Sequence, residues 1–255
     1  MKKVLMVIGI LVAAICVATA QEFKVAKSSG RLEIHLGKAT IEGYNGNEIV
    51  FTSLDKDRDE DEDNRSKGLR AINSMGLDDN TGLGIHVADK GNVVEVYQLK
   101  KMNSPEIKIL VPKGMIISYE HSSQYGDDVK FKNLENEIEI STHYNSVELE
   151  NITGPVTAKV IYGHIEANFN QNVKGPLSLV SIYGYVDVTL PLATKANLKL
   201  VTSYGEIFVA PEYKIEIDKE GTMVRYNDKV SGKINGGGMN IDIRSDYGKV
   251  YLRKK

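Results

Sequence analysis

The stretch LSLVSIYGYVDVTL, residues 177–190, decides the fold. Leu177 and Leu179 lead by alternate positions to Ser181 and Tyr183, Gly184 follows, and Val186 and Val188 resume the alternation. Alternation with period 2 is the mark of a strand with one buried face. Two such strands meet here at one aromatic and one glycine, so the segment reads as strand, sharp corner, strand.

The same unit recurs. Seven tyrosines, Tyr125, Tyr144, Tyr162, Tyr183, Tyr204, Tyr226 and Tyr247, follow one another at steps of 19, 18, 21, 21, 22 and 21 residues. Each precedes Gly or Asn: Gly126, Asn145, Gly163, Gly184, Gly205, Asn227 and Gly248. Val129, Val147, Ile165, Val186, Ile207, Val230 and Val250 come three or four residues after the tyrosines. A corner residue that is always Gly or Asn suggests positive φ, which Gly adopts freely and Asn tolerates. One such unit cannot bury its apolar face alone, and a period near 20 residues with a fixed turn residue indicates stacked coils. The expected fold is therefore all-β, a right-handed parallel β-helix (β-solenoid) with rungs of ~18–22 residues.

Working outward, Leu32, Ile34, Leu36, Ala39, Ile41, Ile49 and Phe51 look like further rungs. Residues 54–67 interrupt the pattern as an acidic insertion, in which Asp55, Asp57, Asp59, Asp61 and Asp63 alternate with Lys, Arg and Glu. Carboxylates at alternate positions suit calcium, but the loop lacks the glycine and the spaced glutamate of an EF-hand, and Lys56 and Arg58 neutralise it. A solvated charged loop is the preferred reading.

At the N-terminus, Lys2 and Lys3 precede an apolar run from Val4 to Val17 and a small-x-small site, Ala18-Thr19-Ala20. This is the pattern of a signal peptide, residues 1–20, leaving 21–255 as a single β-solenoid domain. The run is short for a membrane-spanning helix, so no transmembrane span is expected after cleavage. Export places the protein in the periplasm, on the outer-membrane surface or outside the cell. Cys16 is the only cysteine, so the mature chain has neither disulfide nor thiol nucleophile. Removing Lys2 and Lys3 leaves 30 basic against 34 acidic side chains. Without a basic excess, nucleic acid is not an expected partner.

The signal peptide, GYNGNEIVF (43–51), GLRAI (68–72), DNTGLGI (79–85), ILVPKGM (109–115), the repeats from 116 onward and NGGGMNIDIRSDYGKVYLRKK (235–255) together resemble the bacterial "putative adhesin" β-strand-repeat family of exported, uncharacterised β-solenoid proteins found in Bacteroidetes-type bacteria. The resemblance covers essentially the whole mature chain. It implies a surface or periplasmic protein with no catalytic residues and no cofactor.

Chemistry was sought in three places. His35, His86, His121, His143 and His164 share no column, which does not suit a stacked metal site. Glu148, Glu166 and Asp187 stand four residues after their tyrosines, forming an acidic stripe without an evident acid/base partner. No GxSxG, HExxH or P-loop motif occurs. The third place is the tyrosine column. Stacked rings serve as a structural ladder or as an aromatic strip for sugars, with Tyr162, Tyr183 and Tyr204 as the ligand-contact candidates. The expected function is a non-enzymatic envelope scaffold or adhesin-like protein, making contact with an envelope protein or a glycan through the outer solenoid faces. Carbohydrate binding or cleavage, and an envelope-stress or regulatory accessory role, are the alternatives.

Overall fold

The computed structural model describes residues 21–55, 65, 69–218 and 228–255. The signal-peptide reading, most of the acidic insertion (Asp57, Asp59, Asp61 and Asp63 included), Tyr226 and Asn227 lie outside the described residues.

Every regular element described is a strand. The first half runs β1 (Glu22–Val25), β2 (Ser29–His35), β3 (Ala39–Tyr44), β4 (Ile49–Ser53), β5 (Ile85–Lys90), β6 (Val93–Gln98), β7 (Ile107–Pro112), β8 (Gly114–His121) and β9 (Val129–Lys132). The repeats follow as β10 (Ile138–Thr142), β11 (Val147–Ile152), β12 (Val156–Val160), β13 (Ile165–Phe169), β14 (Leu177–Ser181), β15 (Val186–Leu190), β16 (Ala196–Thr202) and β17 (Ile207–Val209). The chain closes with β18 (Ile215–Ile217), β19 (Asp228–Ile234), β20 (Met239–Ser245) and β21 (Val250–Lys254). They form one sheet of ten strands and one of eleven.

The central block follows the alternation in the sequence. The chain passes from one sheet to the other at each tyrosine corner and returns at the far end of the strand. Thus β8, β10, β12 and β14 pair in parallel in one sheet, while β9, β11, β13 and β15 do so in the other. Ile138, Val156, Leu177 and Ile241 fall in one inward column, and Val147, Ile165, Val186 and Val250 in the facing one. All eight are at most 1% exposed and belong to one hydrophobic cluster spanning both sheets.

Two features differ from a simple parallel coil. The sheets are mixed: β1–β4, β4–β7, β5–β6, β16–β19 and β18–β19 pair antiparallel. These pairs sit toward the ends of the parallel block, where an uncovered edge would be open to pairing with another chain. Val230, which the spacing places just after a corner, lies in one of them, opposite Leu200. The second difference is stacking order. The last coil, β20 and β21, inserts between β14/β15 and β16/β17. Likewise β2 and β3 lie between β6/β7 and β8/β9. Repeats that share one pattern are interchangeable as neighbours, so the sequence does not reveal which ones touch.

The corner glycines are required for a different reason from positive φ. Gly126, Gly163, Gly184, Gly205 and Gly248 are absent from the positive-φ set, and so is Asn145. What they need is space. A Cβ on Gly184 would lie 2.1 Å from the carbonyl oxygen of Gly163, one on Gly248 2.4 Å from that of Gly184, and one on Gly205 1.8 Å from that of Gly248. Consecutive corners are in backbone contact. Asn145 sits where its own side chain fills the space above Gly126; it is 2% exposed and donates to the Gly37 carbonyl at 3.0 Å.

Two residues before Tyr183, Tyr204 and Tyr247, a buried hydroxyl ties neighbouring coils. Ser181 Oγ accepts the Gly184 N–H (3.0 Å) and donates to the Gly163 carbonyl (2.8 Å). Ser245 does the same between Gly248 and Gly184, and Thr202 between Gly205 and Gly248. Each hydroxyl satisfies one donor and one acceptor that would otherwise be buried without partners.

Gly184→Ala is expected to lower the unfolding free energy by about 1–3 kcal/mol, because the atom in its way is backbone rather than a movable side chain. Denaturant midpoints would read the change. An unchanged midpoint would mean that the corner has room to spare.

Candidate functional site: the tyrosine edge

The corners place their tyrosines outside the core along one edge of the molecule. Because backbones are close-packed beneath them, the rings inherit the coil spacing. Tyr144 stacks on Tyr162 (centroids 5.1 Å, 17° between planes), Tyr162 on Tyr183 (5.0 Å, 4°), Tyr183 on Tyr247 (5.0 Å, 12°) and Tyr247 on Tyr204 (4.9 Å, 8°). The row is therefore ordered 144, 162, 183, 247, 204. Of the three candidates singled out by sequence, Tyr162 and Tyr183 are neighbours, while Tyr247 separates Tyr183 from Tyr204. Each ring of the row is about half exposed, and Tyr204 reaches 72%.

Tyr125 does not join the row. Thr142 pairs with His121, not with Ser123, so this corner carries two extra residues and throws Tyr125 out of the column. Its ring instead lies beneath Lys101 Nζ, 5.3 Å from the centroid.

Stacking decides what the row offers. At 5 Å a ring's faces are covered by its neighbours. What reaches solvent is a row of ring edges and phenol hydroxyls. No flat ligand fits between Tyr162, Tyr183 and Tyr247 without opening the stack.

The acidic stripe lies on the neighbouring sheet face. Glu148, Glu166 and Asp187 are register partners on adjacent strands, and Tyr251 and Phe208 extend the column. Each acid is engaged. Glu148 meets Lys130 (3.1 Å), Glu166 accepts from the Tyr185 hydroxyl (2.5 Å), and Asp187 meets Arg253 (2.8 Å). Burial, then the bond to Glu166, pushes the Tyr185 phenol up to about 12. His164 stacks on Tyr185 at 4.5 Å, and Phe208 on Tyr251 at 5.4 Å.

The histidines do not converge. His35 stacks on Tyr97, His86 Nδ1 meets the Asp78 carbonyl, His121 is buried against Asn145, and His143 stands edge-on to Tyr144. Among the described residues no three His, Cys, Asp or Glu side chains come together as a metal requires. Of the calcium candidates, Asp55 is described and exposed.

Sequence reading missed two arrangements. At the opposite edge, Asn151 donates to Asn133 Oδ1 (2.7 Å) and Asn170 to Asn151 Oδ1 (2.6 Å), an amide ladder across three coils. Their recurrence seven or eight residues after Tyr125, Tyr144 and Tyr162 was the available signal. The second is the loop of DNTGLGI. Asp79 Oδ1 accepts from Thr81 N–H (2.9 Å), the Thr81 hydroxyl (2.9 Å) and Gly82 N–H (2.8 Å), and Oδ2 from Gly84 N–H (2.7 Å). Withdrawal from water opposes ionisation, but these donors outweigh it and hold the carboxyl below its ordinary value.

A folded pKa below the unfolded one gives stability that is present above the unfolded value and lost as pH falls through the folded one. Asp79→Asn is therefore expected to lower the thermal midpoint near neutral pH, with the gap to wild type closing below about pH 4. Melting curves between pH 7 and pH 2 test this, and a gap that stays constant would remove Asp79 ionisation as the cause.

The family described as Toastrack DUF4097 matches residues 126–253. No curated protein matches the chain. Among solved structures, a putative cell adhesion protein from Clostridium sporogenes ATCC 15579 is similar at 15% identity, over 93% of this chain and 100% of that one, with a TM-score of 0.41.

Proposed function

We propose that this chain, which belongs to the Toastrack DUF4097 family, is a non-enzymatic, exported envelope scaffold or adhesin-like protein that holds a protein partner against its tyrosine edge. The observation that carries the reading is the row of five stacked, half-exposed tyrosines. Such a row costs little ordering entropy on binding, because each ring is already held by the next. Tyrosine edges joined to hydroxyls suit protein surfaces, where an apolar body and a polar tip are both used. Weak contacts repeated along a rigid edge add through multivalency.

Export rests on the N-terminal pattern of Lys2, Lys3, the apolar run and Ala18-Thr19-Ala20. The parallel core fits a right-handed β-helix, the hand that parallel crossovers adopt almost always. The acids of the stripe are paired with cations or a phenol. That arrangement favours a structural role over general acid/base work, which needs a group free to exchange its proton. Carbohydrate binding is the second reading, favoured by Tyr204, the most exposed ring of the row.

Purified full-length protein, fluorescently labelled, is expected to bind isolated envelopes. Tyr162→Ser/Tyr183→Ser/Tyr247→Ser is expected to lose that binding while its circular dichroism stays that of a folded β protein. Binding retained by the triple variant would remove the tyrosine edge from the mechanism. Turnover of a polysaccharide by the wild type would overturn the non-enzymatic reading.

A further inference from the structure

At the edge opposite the tyrosines, the chain returns between sheets through loops of irregular length. Three of these, the 170–176 and 191–195 returns and the strap at 235–238, enclose an open cleft of ≈ 410 Å³. That lies within the size range of small-molecule sites, about 300–1,000 Å³. Val173 and Met239 give it apolar wall, and Gln171, Thr194, Lys174 and Lys195 give it polar groups. No carboxylate lines it.

The two lysines lack the acidic partners that many cations of this surface have. Along the coils several cations are matched to acids on the neighbouring coil: Lys130 to Glu148, Lys132 to Glu150, Lys199 to Asp242 and Lys249 to Glu206, all within 3.1 Å. Lys174 and Lys195 make no ion pair among the described residues. Glu135, which feels the charge of Lys174, is already held by Lys113 at 2.7 Å.

Thr194 adds an independent sign. It is 6% exposed, and its hydroxyl is buried without a hydrogen-bond partner. Its backbone is fully engaged: the N–H donates to the Pro191 carbonyl (3.0 Å), and the carbonyl accepts from Asn235 Nδ2 (2.8 Å). A buried hydroxyl left without a partner carries a desolvation cost that a bound acceptor would remove.

We propose that this cleft binds an oxyanion, a sulfate, phosphate or carboxylate group, between Lys174 and Lys195, with the Thr194 hydroxyl donating to it. The group is either a free ion or a substituent of an acidic sugar, since Val173 and Met239 offer apolar contact to a ring beside it. The site is independent of the tyrosine edge, and its failure would leave that reading untouched.

The test is calorimetric titration of the full chain with inorganic sulfate, a sulfated disaccharide and the neutral disaccharide. Binding of sulfate, or of the sulfated disaccharide alone, is expected, and the choice between them identifies the source of the anion. Lys174→Ala/Lys195→Ala should weaken it by about tenfold or more, as for loss of charge-assisted hydrogen bonds, and added salt should weaken the wild type in the same sense. Thr194→Val should weaken it while leaving the melting temperature unchanged or raised, which a purely structural threonine would not do. Absence of binding by both anions, equal binding of the neutral disaccharide, or undiminished binding by the double variant would overturn the proposal.

Discussion

Backbone contact at the glycine corners is the constraint on which the rest depends. With carbonyl oxygens of one coil standing where the next coil's Cβ would be, the corners stack at the strand spacing, about 4.8 Å. The tyrosine before each glycine is then carried at the same interval, which is why four successive ring pairs stack between 4.9 and 5.1 Å. At Tyr183, Tyr204 and Tyr247 the serine or threonine two residues earlier answers the same geometry, its hydroxyl accepting from its own glycine and donating to the neighbouring one, whereas Tyr162 has Val160 in that place. One steric requirement thus accounts for the glycine and tyrosine columns and for the hydroxyls at three of the corners.

That requirement says nothing about order. A coil presenting the Tyr-Gly corner stacks equally well on any other, and the chain uses this freedom at both ends. By inserting β20/β21 between two earlier coils, it gives each of those strands a parallel neighbour on both edges. In the eleven-stranded sheet the terminal positions then fall to the antiparallel strands β19 and β18, whereas the ten-stranded sheet ends at β17, paired in parallel with β21.

These facts separate what the sequence made legible from what it did not. Strand faces, corner positions and the acidic stripe of Glu148, Glu166 and Asp187 follow from alternation and spacing, because each reflects a local rule repeated in register. The error over positive φ came from reading Gly and Asn as one class. Glycine is there to leave room, whereas Asn145 is there to fill it, and the asparagines at positive φ, Asn103, Asn133, Asn151 and Asn235, lie outside that column. Tyr125 was misplaced because spacing counts residues, while the sheet counts strand partners, and the two differ wherever a corner lengthens. Tyr247 was passed over because its contacts with Tyr183 and Tyr204 depend on stacking order.

Regularity also limits what the tyrosine edge can distinguish. Every position along it offers nearly the same ring edge and hydroxyl, so a partner of the kind proposed would gain strength by length of contact more than by any one match. Discrimination between chemically similar partners needs groups that occur once, set by loops of unequal length. Some such groups stand on the opposite edge. There the returns differ in length, the Asn133–Asn151–Asn170 ladder stops, and two lysines and one buried hydroxyl are left without partners among the described residues. The fold thus divides its two long edges by physics. Repetition makes one uniform along its length, and the breaks in repetition make the other chemically varied.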